Sequence, residues 1–272
     1  MLGTALMAAY SREEDYEVFY ISHSDHDLEK NKNRLILGEL DSHQFYAYYH
    51  CAAEINVNLC ETDFEHAIKS NVDYTRELFK KVNALKYFYI STDSVYQGNK
   101  GDYKETDEVN PVNKYALSKL LGEKEALGSS KKVYVIRTNI FGLSSKSGSS
   151  LFEWAKRELE LGNSINGFTN VYFNPLSVPH LSFVLKEMAD KDISNGIYNI
   201  GCSSFISKYY FLVKVAEFIG IKKENISRTI YTSSHGTAQR PINTTLDCSK
   251  LIGQMGSIDL SIEKSFEFIK KV

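Results

Sequence analysis

Short apolar runs alternate along the chain with longer segments in which apolar residues recur every three or four positions. The runs rich in β-branched and aromatic residues are EVFYIS (17–22), FYAYYHCAA (45–53), KYFYIS (86–91), KVYVIRT (132–138) and GIYNIG (196–201). The segments of helical period are 62–83, 114–127, 151–161 and 207–219. Strands that alternate with helices, several of them apolar on both faces, predict a doubly wound α/β fold with a parallel sheet covered on both sides.

The two halves of the chain differ in content, because the part after about residue 140 has fewer strand-like runs and more loops. We therefore predict a dinucleotide-binding domain over 1–140. Residues 141–272 are predicted to form mainly a substrate-binding lobe with returning Rossmann elements, laid over the sheet edge where ligands bind.

Composition narrows the class of protein. The chain has 272 residues, of which 43% are hydrophobic, and a formal net charge of −2. This charge gives no electrostatic footprint for nucleic acid or an anionic membrane. No apolar stretch reaches membrane-spanning length, the histidines lack metal-ligand spacing, and the four cysteines have no CxxC spacing. These features predict a cytoplasmic protein with small soluble ligands and no metal site.

Tyr115 and Lys119 are the first candidates for chemistry. Four residues advance a helix by roughly 400°, so both side chains are expected on one face and within reach of the same ligand. A nearby ammonium favours the phenolate and lowers the tyrosine pKa from about 10 by about 1 to 3 units. The alternative is an ordinary solvated helix face, because this spacing is common by chance.

Ser91, Thr92 and Asp93 strengthen the functional interpretation. They lie at the carboxyl end of the apolar run KYFYIS, where open α/β sheets expose ligand-facing groups. A hydroxyl at that position can donate a hydrogen bond to a substrate carbonyl.

At this point the chain resembles a known family. The stretches STDSVYQG (91–98) and GDYKETDEVNPVNKYALSKLLGEKEAL (101–127) are similar to the catalytic region of extended short-chain dehydrogenases/reductases that act on nucleotide sugars. Within that superfamily the resemblance is to the RmlD-like, dTDP-4-dehydrorhamnose reductase group. Further matching stretches are HCAAEINVNLCE (50–61), SNV (70–72), RTNIFG (137–142), FNPLSVPHLSFVL (173–185), ISKYYF (206–211) and QRPINTTLDCSKL (239–251).

The resemblance implies roles for three catalytic residues. Thr92 would hydrogen-bond the substrate carbonyl, and Tyr115 would deliver a proton to its oxygen. Lys119 would hold the nicotinamide ribose and lower the tyrosine pKa. Both Tyr115 and Lys119 would thereby also contact the cofactor.

The resemblance also implies substrate contacts. Thr92 and Asn139 would bind the substrate, and Asp93 would contact the sugar or position its neighbours. Arg240 would bond to the substrate's phosphate or sugar, although a surface salt bridge is the alternative for this residue. Asn71 either corresponds to a structural asparagine of the superfamily or caps the helix that follows it.

The implied activity is NAD(P)H-dependent reduction of a nucleotide-linked 4-keto-6-deoxy sugar for surface polysaccharide. Related dehydratases carry an Asp-Glu pair after the threonine, whereas here Asp93 is followed by Ser94, which disfavours dehydration. Two alternatives stay open. One is a nucleotide-sugar 4-epimerase. The other is a catalytically idle member that binds a nucleotide sugar or a partner protein, as RmlD-like regulatory subunits of methionine adenosyltransferase do. The resemblance also allows a homodimer.

The N-terminus departs from the family pattern. Members open with a buried strand and a Gly-x-x-Gly-x-x-Gly turn at a helix N-terminus, which meets the pyrophosphate. Here Met1, Leu2 and Gly3 match only the last part of that turn, so the first strand is expected to be missing while a helix over 4–10 remains. Leu2 and Gly3 are predicted cofactor contacts. Either the sequence starts at an internal methionine, or cofactor binding is weak.

The next cofactor contacts are predicted at Asp41, beside the adenine, and at the backbone of Cys51, Ala52 and Ala53. Only a few residues separate Asp41 from the following strand, although a parallel crossover normally needs a dozen or more. The connection is therefore expected to be unusually tight or irregular.

The choice between NADPH and NADH rests on the end of the second predicted strand. NAD-binding proteins place an acidic residue there, whereas this chain has Ser22, His23 and Ser24. The missing carboxylate favours NADPH, with NADH as the alternative, and His23 is either a 2′-phosphate contact or a solvated loop residue.

Overall fold

The computed structural model describes residues 1–21, 35, 38–143, 150–232 and 238–271, apart from the side chain of Asp41. Its main sheet has parallel strands in the order β1-β2-β3-β8. These strands are β1 (Phe45–His50), β2 (Ala84–Ile90), β3 (Val133–Thr138) and β8 (Gly196–Ile200). Helices flank this sheet, which confirms the predicted doubly wound α/β class.

The helices of the described residues pack around the sheet and along the second half of the chain. They are α1 (Leu2–Tyr10), α2 (Val57–Thr62), α3 (Phe64–Ile68), α4 (Tyr74–Lys81), α5 (Lys114–Leu127), α6 (Leu151–Glu160), α7 (Val178–Asp190), α8 (Lys208–Phe218), α9 (Ser249–Met255) and α10 (Ile262–Lys270). One π-helical turn (Lys69–Asp73) joins α3 to α4. Short 3₁₀ turns lie at Leu40–Ser42, Asp93–Val95 and Lys223–Asn225.

Three small sheets belong to the second half of the chain. They pair β10 (Ile226–Thr229) with β5 (Ile165–Phe168), β4 (Ile140–Phe141) with β7 (Leu176–Ser177), and β6 (Tyr172–Phe173) with β9 (Ile206–Ser207). The last pair is antiparallel. These pairs hold the loops that surround the carboxyl edge of the main sheet.

Burial on both faces of the sheet explains why its strands are almost continuously apolar. Phe88 and Tyr134 stack at 4.8 Å between ring centroids on one face. Tyr87 and Val135 face the other side, where they pack in a second cluster with Phe79 of α4. Each buried side chain of this size contributes about 1.5 to 3 kcal/mol, so the sheet is fixed mainly by apolar burial.

The predicted strand over 17–22 is wrong in its described part. Residues 17–19 have irregular backbone, and Tyr20 lies in an isolated bridge, with its carbonyl accepting a hydrogen bond from the Leu35 amide at 3.0 Å. No described strand lies beside this segment to complete a ladder. Within the described ranges no strand precedes Phe45, and β1 is the first strand in the sheet order.

The remaining element predictions have mixed outcomes. The strands predicted over 45–53, 86–91, 132–138 and 196–201 and the helices predicted over 114–127, 151–161 and 207–219 form within a few residues of their expected ends. The helix expected over 62–83 is divided by the π turn. The expected tight connection before β1 contains a single 3₁₀ turn, Leu40–Ser42. Among the described residues, no helix is long and apolar enough to cross a membrane.

Candidate active site

The carboxyl edge of the main sheet gathers the predicted site residues. Cys51 follows β1, Thr92 follows Ile90 and Ser91 at the end of β2, and Asn139 follows β3 directly. Parallel strands bring these ends to one edge, so residues far apart in sequence become neighbours. Helix α5 brings Tyr115 and Lys119 to the same edge.

Helix α5 begins where it does because Asn113 caps it. The Asn113 side chain accepts a hydrogen bond from the Ala116 amide at 2.9 Å, which satisfies one of the free N–H groups of the first turn. Its amide nitrogen also donates to the Gln239 carbonyl at 2.8 Å. One residue thus fixes both the start of the helix that carries Tyr115 and the loop that carries Arg240.

The predicted lowering of the Tyr115 pKa is wrong. Burial raises the pKa of this phenol to about 12, the Thr92 hydroxyl lowers it through a hydrogen bond, and the Asp93 carboxylate raises it. Lys119 is not among the groups with the largest effect on this pKa. The reason is the direction of the lysine side chain. Lys119 shares a helix face with Tyr115, but its ammonium lies over the ring of Tyr89.

Lys119 turns toward the β1 and β2 side of the edge. Its ammonium lies 4.5 Å from the ring centroid of Tyr89, and the side chain is almost fully buried. Burial lowers the pKa of Lys119 to about 8, while Glu123 and Cys51 act to raise it. The Lys119 ammonium makes no hydrogen bond or ion pair with the described residues, so it is a buried cation free to bind a ligand.

Asp93 forms the centre of the opposite side of the edge. The side-chain amide of Asn139 donates to one carboxylate oxygen of Asp93 at 2.9 Å, and the hydroxyl of Thr244 donates to the same oxygen. The other oxygen accepts from the hydroxyls of Thr92, at 3.1 Å, and Ser94, at 3.2 Å. Because Asp93 is only 1% exposed, these contacts favour the expectation that it positions its neighbours over a direct contact with the sugar.

The sequence did not single out Thr244, although it lies within the quoted QRPINTTLD stretch. Its segment is anchored on the loop after β2, where the Ile242 and Asn243 amides donate to the Gly98 carbonyl at 3.1 and 2.8 Å. Gly98 has a φ of +77°, and a Cβ there would lie 2.1 Å from the Pro241 Cβ. Only glycine allows this approach, which brings Thr244 to Asp93.

Asn71 has a structural role and does not cap a helix. It lies in the π turn, where its side chain accepts from the Glu54 amide at 2.8 Å and donates to the Glu54 carbonyl at 3.1 Å. It also donates to the Ser118 hydroxyl at 2.8 Å, and Ser118 in turn donates to the Tyr115 carbonyl at 2.8 Å. Asn71 therefore connects the loop after β1 to the helix that carries Tyr115.

The predicted cofactor residues lie around the start of α1 and the end of β1. A Cβ built on Gly3 would stand 3.9 Å from the Cys51 Cβ, so the first turn of α1 lies against the end of β1. The Leu2 side chain is buried in the core, which leaves its backbone for a ligand. Ala52 is exposed and Ala53 half-buried at the same edge.

Some predicted contacts cannot be located. The backbone of Asp41 belongs to the 3₁₀ turn before β1, but its side chain lies outside the described residues. Ser22, His23 and Ser24, on which the choice of NADPH over NADH rested, also lie outside them.

Arg240 lies on the Asp93 side of the edge. Its guanidinium acts to lower the pKa of Tyr115 and also that of Lys208, the first residue of α8. Arg240 is exposed and makes no ion pair with the described residues, so the predicted alternative of a surface salt bridge is not observed among them. Lys208 was quoted in the ISKYYF stretch without a role.

The fold is therefore Rossmann-like, and the threonine, tyrosine and lysine at its carboxyl edge are the side-chain types of short-chain dehydrogenases/reductases. The chain belongs to the family described as RmlD substrate binding domain, whose model matches residues 1–265. This match confirms the predicted family.

Individual relatives extend this finding. The methionine adenosyltransferase 2 subunit beta of Danio rerio is 29% identical over 79% of this chain and 69% of its own length. The probable low-salt glycan biosynthesis reductase Agl14 of Haloferax volcanii is 24% identical over 97% of this chain and 92% of its own. A solved dTDP-4-dehydrorhamnose reductase of Clostridium acetobutylicum superposes with a TM-score of 0.82 at 25% identity, covering 99% of this chain and 95% of its own.

Proposed function

We propose that this protein is an NAD(P)H-dependent reductase of a nucleotide-linked 4-keto-6-deoxy sugar. The observation that carries the proposal is the proximity of the Thr92 hydroxyl to the Tyr115 phenol, beside the enclosed Asp93 carboxylate. A hydroxyl and a phenol that lie close together can both hydrogen-bond one carbonyl oxygen. Two relatives with reductase names, from Haloferax volcanii and Clostridium acetobutylicum, support the same reaction class.

The residues present fit a nicotinamide cofactor. The buried ammonium of Lys119 needs an oxygen-rich partner, which the ribose hydroxyls of such a cofactor would provide. The first turn of α1 has no side-chain cap, so its N–H groups are available to a phosphate. Thr138, at the end of β3, has the one described buried side-chain oxygen with no hydrogen-bond partner in the protein. When bound, the reduced cofactor supplies a hydride to the carbonyl carbon.

The protein's own residues polarise the carbonyl group and donate a proton to its oxygen. The Thr92 hydroxyl, which now donates to Asp93, would turn to polarise the carbonyl. A phenol with a pKa of about 12 is protonated at neutral pH, and the Tyr115 Oη can therefore donate its proton. Because the alkoxide formed by hydride addition is a stronger base than a phenolate, the proton moves from tyrosine to the product oxygen.

The test is turnover of dTDP-4-keto-6-deoxyglucose with NADPH or NADH, followed by loss of absorbance of the reduced cofactor. Tyr115→Phe should lower kcat by about 100- to 10,000-fold, the usual contribution of a positioned proton donor. The matched control is Tyr46→Phe, because this tyrosine lies at the amino end of β1 and its hydroxyl donates to the Ala189 carbonyl at 2.7 Å. The control should keep wild-type turnover. Full turnover by Tyr115→Phe would contradict the mechanism.

A second candidate function is binding without catalysis. The likeness to a subunit of methionine adenosyltransferase favours it, because that relative is named as part of an assembly. Wild-type protein that binds reduced cofactor or nucleotide sugar with a measurable Kd but turns over no keto sugar would support this second candidate against the first. A nucleotide-sugar 4-epimerase would instead interconvert the C4 epimers of a sugar nucleotide with no net use of cofactor.

The assembly and the location are proposed from family membership. We infer a homodimer, which the family resemblance allows, and a cytoplasmic protein, which the sequence predicts. Light scattering after size-exclusion chromatography tests the first inference, because a dimer would have a mass near twice the 30.9 kDa of the chain. Fractionation of the source cells tests the second.

A further inference from the structure

Lys208 is held in a fixed place at the start of α8. The preceding Ser207 caps the helix by accepting a hydrogen bond from the Tyr210 amide at 3.2 Å, and it pairs with Tyr172 in the β6–β9 sheet. The Lys208 amide donates to the Val171 carbonyl at 2.9 Å. Both sides of the residue are thus tied to the β6 segment.

The Lys208 side chain lies against an aromatic ring, and no described residue gives it a hydrogen-bond acceptor. Its Nζ is 3.2 Å from the centroid of the Phe173 ring, and Phe173 is buried. Within the ranges that the structure describes, the ammonium makes no hydrogen bond and no ion pair. A ring face attracts a cation but supplies none of the three acceptors that an ammonium can use.

The position of this charge is unfavourable for folding. A cation at the first residue of a helix is repelled by the positive end of the helix dipole. Burial lowers the pKa of Lys208 to about 8, and the like charge of Arg240 acts in the same direction. Asp93 opposes this shift, but both of its oxygens already accept hydrogen bonds from other residues. Among the described residues, the Lys208 ammonium therefore has no hydrogen-bond acceptor that would offset these costs.

The same strand connects Lys208 to the candidate active site. The Tyr172 carbonyl accepts a hydrogen bond from the Thr244 amide at 3.2 Å, and the Thr244 hydroxyl donates to Asp93. Lys208 therefore belongs to the Asp93 and Arg240 side of the edge. Lys119 belongs to the other side, near Cys51, where the cofactor is proposed to bind.

We propose that Lys208 is a specificity-determining residue that binds an anionic oxygen of the nucleotide-sugar substrate, with Arg240 as the second cation. The inference rests on the proposed substrate class and adds a residue to it. Every nucleotide-diphosphate sugar carries anionic oxygens in its diphosphate, and a hexuronic acid, unlike the proposed 6-deoxy sugar, adds a carboxylate. An ammonium with free donors binds either kind of oxygen by charge-assisted hydrogen bonds.

The experiment measures binding by isothermal titration calorimetry to wild-type protein, Lys208→Met and Lys208→Arg. The probes are dTDP, UDP, UDP-glucose and UDP-glucuronic acid. Lys208→Met keeps the length of the side chain and removes its charge, so it should weaken binding by about 10- to 100-fold, and Lys208→Arg should restore part of the affinity. The control is Lys214→Met on the same helix, because Lys214 forms a surface ion pair with Glu263 at 2.9 Å and should leave every Kd unchanged.

The pattern across probes identifies the bound group. Equal weakening for all four probes supports a contact with the diphosphate, whereas weakening confined to UDP-glucuronic acid supports a contact with a sugar carboxylate and overturns the 6-deoxy sugar as the substrate. Wild-type affinity of folded Lys208→Met for all probes overturns the inference and leaves the proposed reductase in place. Failure of the wild-type protein to bind any of the four overturns the proposed substrate class and this inference together. If Lys208→Met does not fold, a wild-type thermal midpoint with unaltered affinities in a Lys208→Gln variant overturns it equally.

Discussion

Two buried cations near the carboxyl edge of the main sheet differ in whether a counter-charge pairs with them. Arg137, in β3, is 3% exposed and fully paired, whereas Lys119, in α5, is equally buried and unpaired within the described part of the chain. Both lie close to Glu123, and burial removes water from both, so other groups must compensate the lost hydration. We expect this difference to separate charges that stabilise the fold from charges that bind a ligand.

Each nitrogen of the Arg137 guanidinium donates a hydrogen bond. Its guanidinium donates to Glu123 at 2.7 and 3.1 Å and to the Tyr96 hydroxyl at 2.9 Å. Burial alone would lower the pKa of Arg137, but the hydrogen bonds and charge of Glu123 raise it overall. The Ser91 hydroxyl donates to Glu123 as well, so this network links the end of β2 to β3 and α5. A network of this kind fixes the sheet edge on which Thr92 lies.

In the part of the chain that the structure describes, Lys119 has the Tyr89 ring and more distant charges as its neighbours. Its lowered pKa shows that the folded protein disfavours the cation, since a buried ammonium without hydrogen bonds has lost its water shell. The half-buried Lys208, on the proposed substrate side, shows the same combination of an aromatic neighbour and a pKa of about 8. Among the described residues, cations without hydrogen-bond partners thus lie on both the proposed cofactor side and the proposed substrate side, whereas the paired Arg137 belongs to the scaffold.

The largest effect on stability is expected when the paired cation loses its partner. Glu123→Gln leaves Arg137 buried without a counter-charge and should lower the free energy of unfolding by about 3 to 5 kcal/mol. Urea denaturation followed by circular dichroism measures this loss. The matched control is Glu125→Gln on the same helix, because its bond to Arg76, at 2.8 Å, is exposed and should contribute less than about 1 kcal/mol. Similar losses in both variants would contradict the distinction.

Replacing the unpaired cation, Lys119, is expected to raise the free energy of unfolding rather than lower it. Lys119→Met removes a charge that the fold does not compensate, and it should raise the free energy of unfolding by about 1 to 3 kcal/mol while abolishing most turnover. The same denaturation and absorbance assays measure the two changes. Lys124→Met, at an exposed position of α5, should change neither. A destabilised Lys119→Met variant would mean that the ammonium has partners the contacts do not reveal.

The pH dependence of stability gives a further comparison of Lys119→Met with the wild-type protein. The pKa of Lys119 is about 8 in the folded protein, against 10.5 for an unperturbed lysine. Between these values the unfolded chain binds a proton that the folded chain does not, so unfolding takes up protons and stability rises with pH. The advantage of Lys119→Met over wild type should therefore be full below about pH 8 and shrink toward pH 10.5. An advantage that is constant from pH 7 to 10 would argue against a lowered pKa.

Local features of the sequence predicted the main sheet and the helix of the site. The apolar runs that became β2 and β3, the spacing of Tyr115 and Lys119, and the placement of Thr92 after a strand are all short-range patterns. The sequence could not predict the direction in which Lys119 ends, since two side chains on one helix face can lean to different neighbours. The wrong pKa direction for Tyr115 has the same origin, because burial by the whole fold outweighs a single expected charge.

Contacts across long sequence distances also escaped prediction. The bond of Thr244 to Asp93 spans 151 positions, and it depends on the approach of residues 241–244 to Gly98. The unpaired state of Lys208 likewise has no local signal, because it is a property of everything that surrounds the ammonium. The strand predicted over 17–22 is absent from its described part, 17–21, because an apolar run forms a strand only where another strand pairs with it, and no described strand does so here.

The smallest predicted effect concerns Asn113, which joins the scaffold to the ligand-facing side. Asn113→Ala removes the cap of α5 and should cost about 1 kcal/mol of unfolding free energy. It also releases the Gln239 carbonyl, and through it the loop of Arg240, so KM for the keto sugar should rise more than kcat falls. Asn113→Asp keeps the cap acceptor but cannot donate to that carbonyl, so it should recover the stability and keep the raised KM. The control for a cap alone is Asn56→Ala, where the side chain accepts from the Leu59 amide at 3.1 Å and binds no such loop. If Asn113→Asp restores KM together with stability, the asparagine acts on the helix only, and the hydrogen bond to Gln239 does not position the substrate side of the edge.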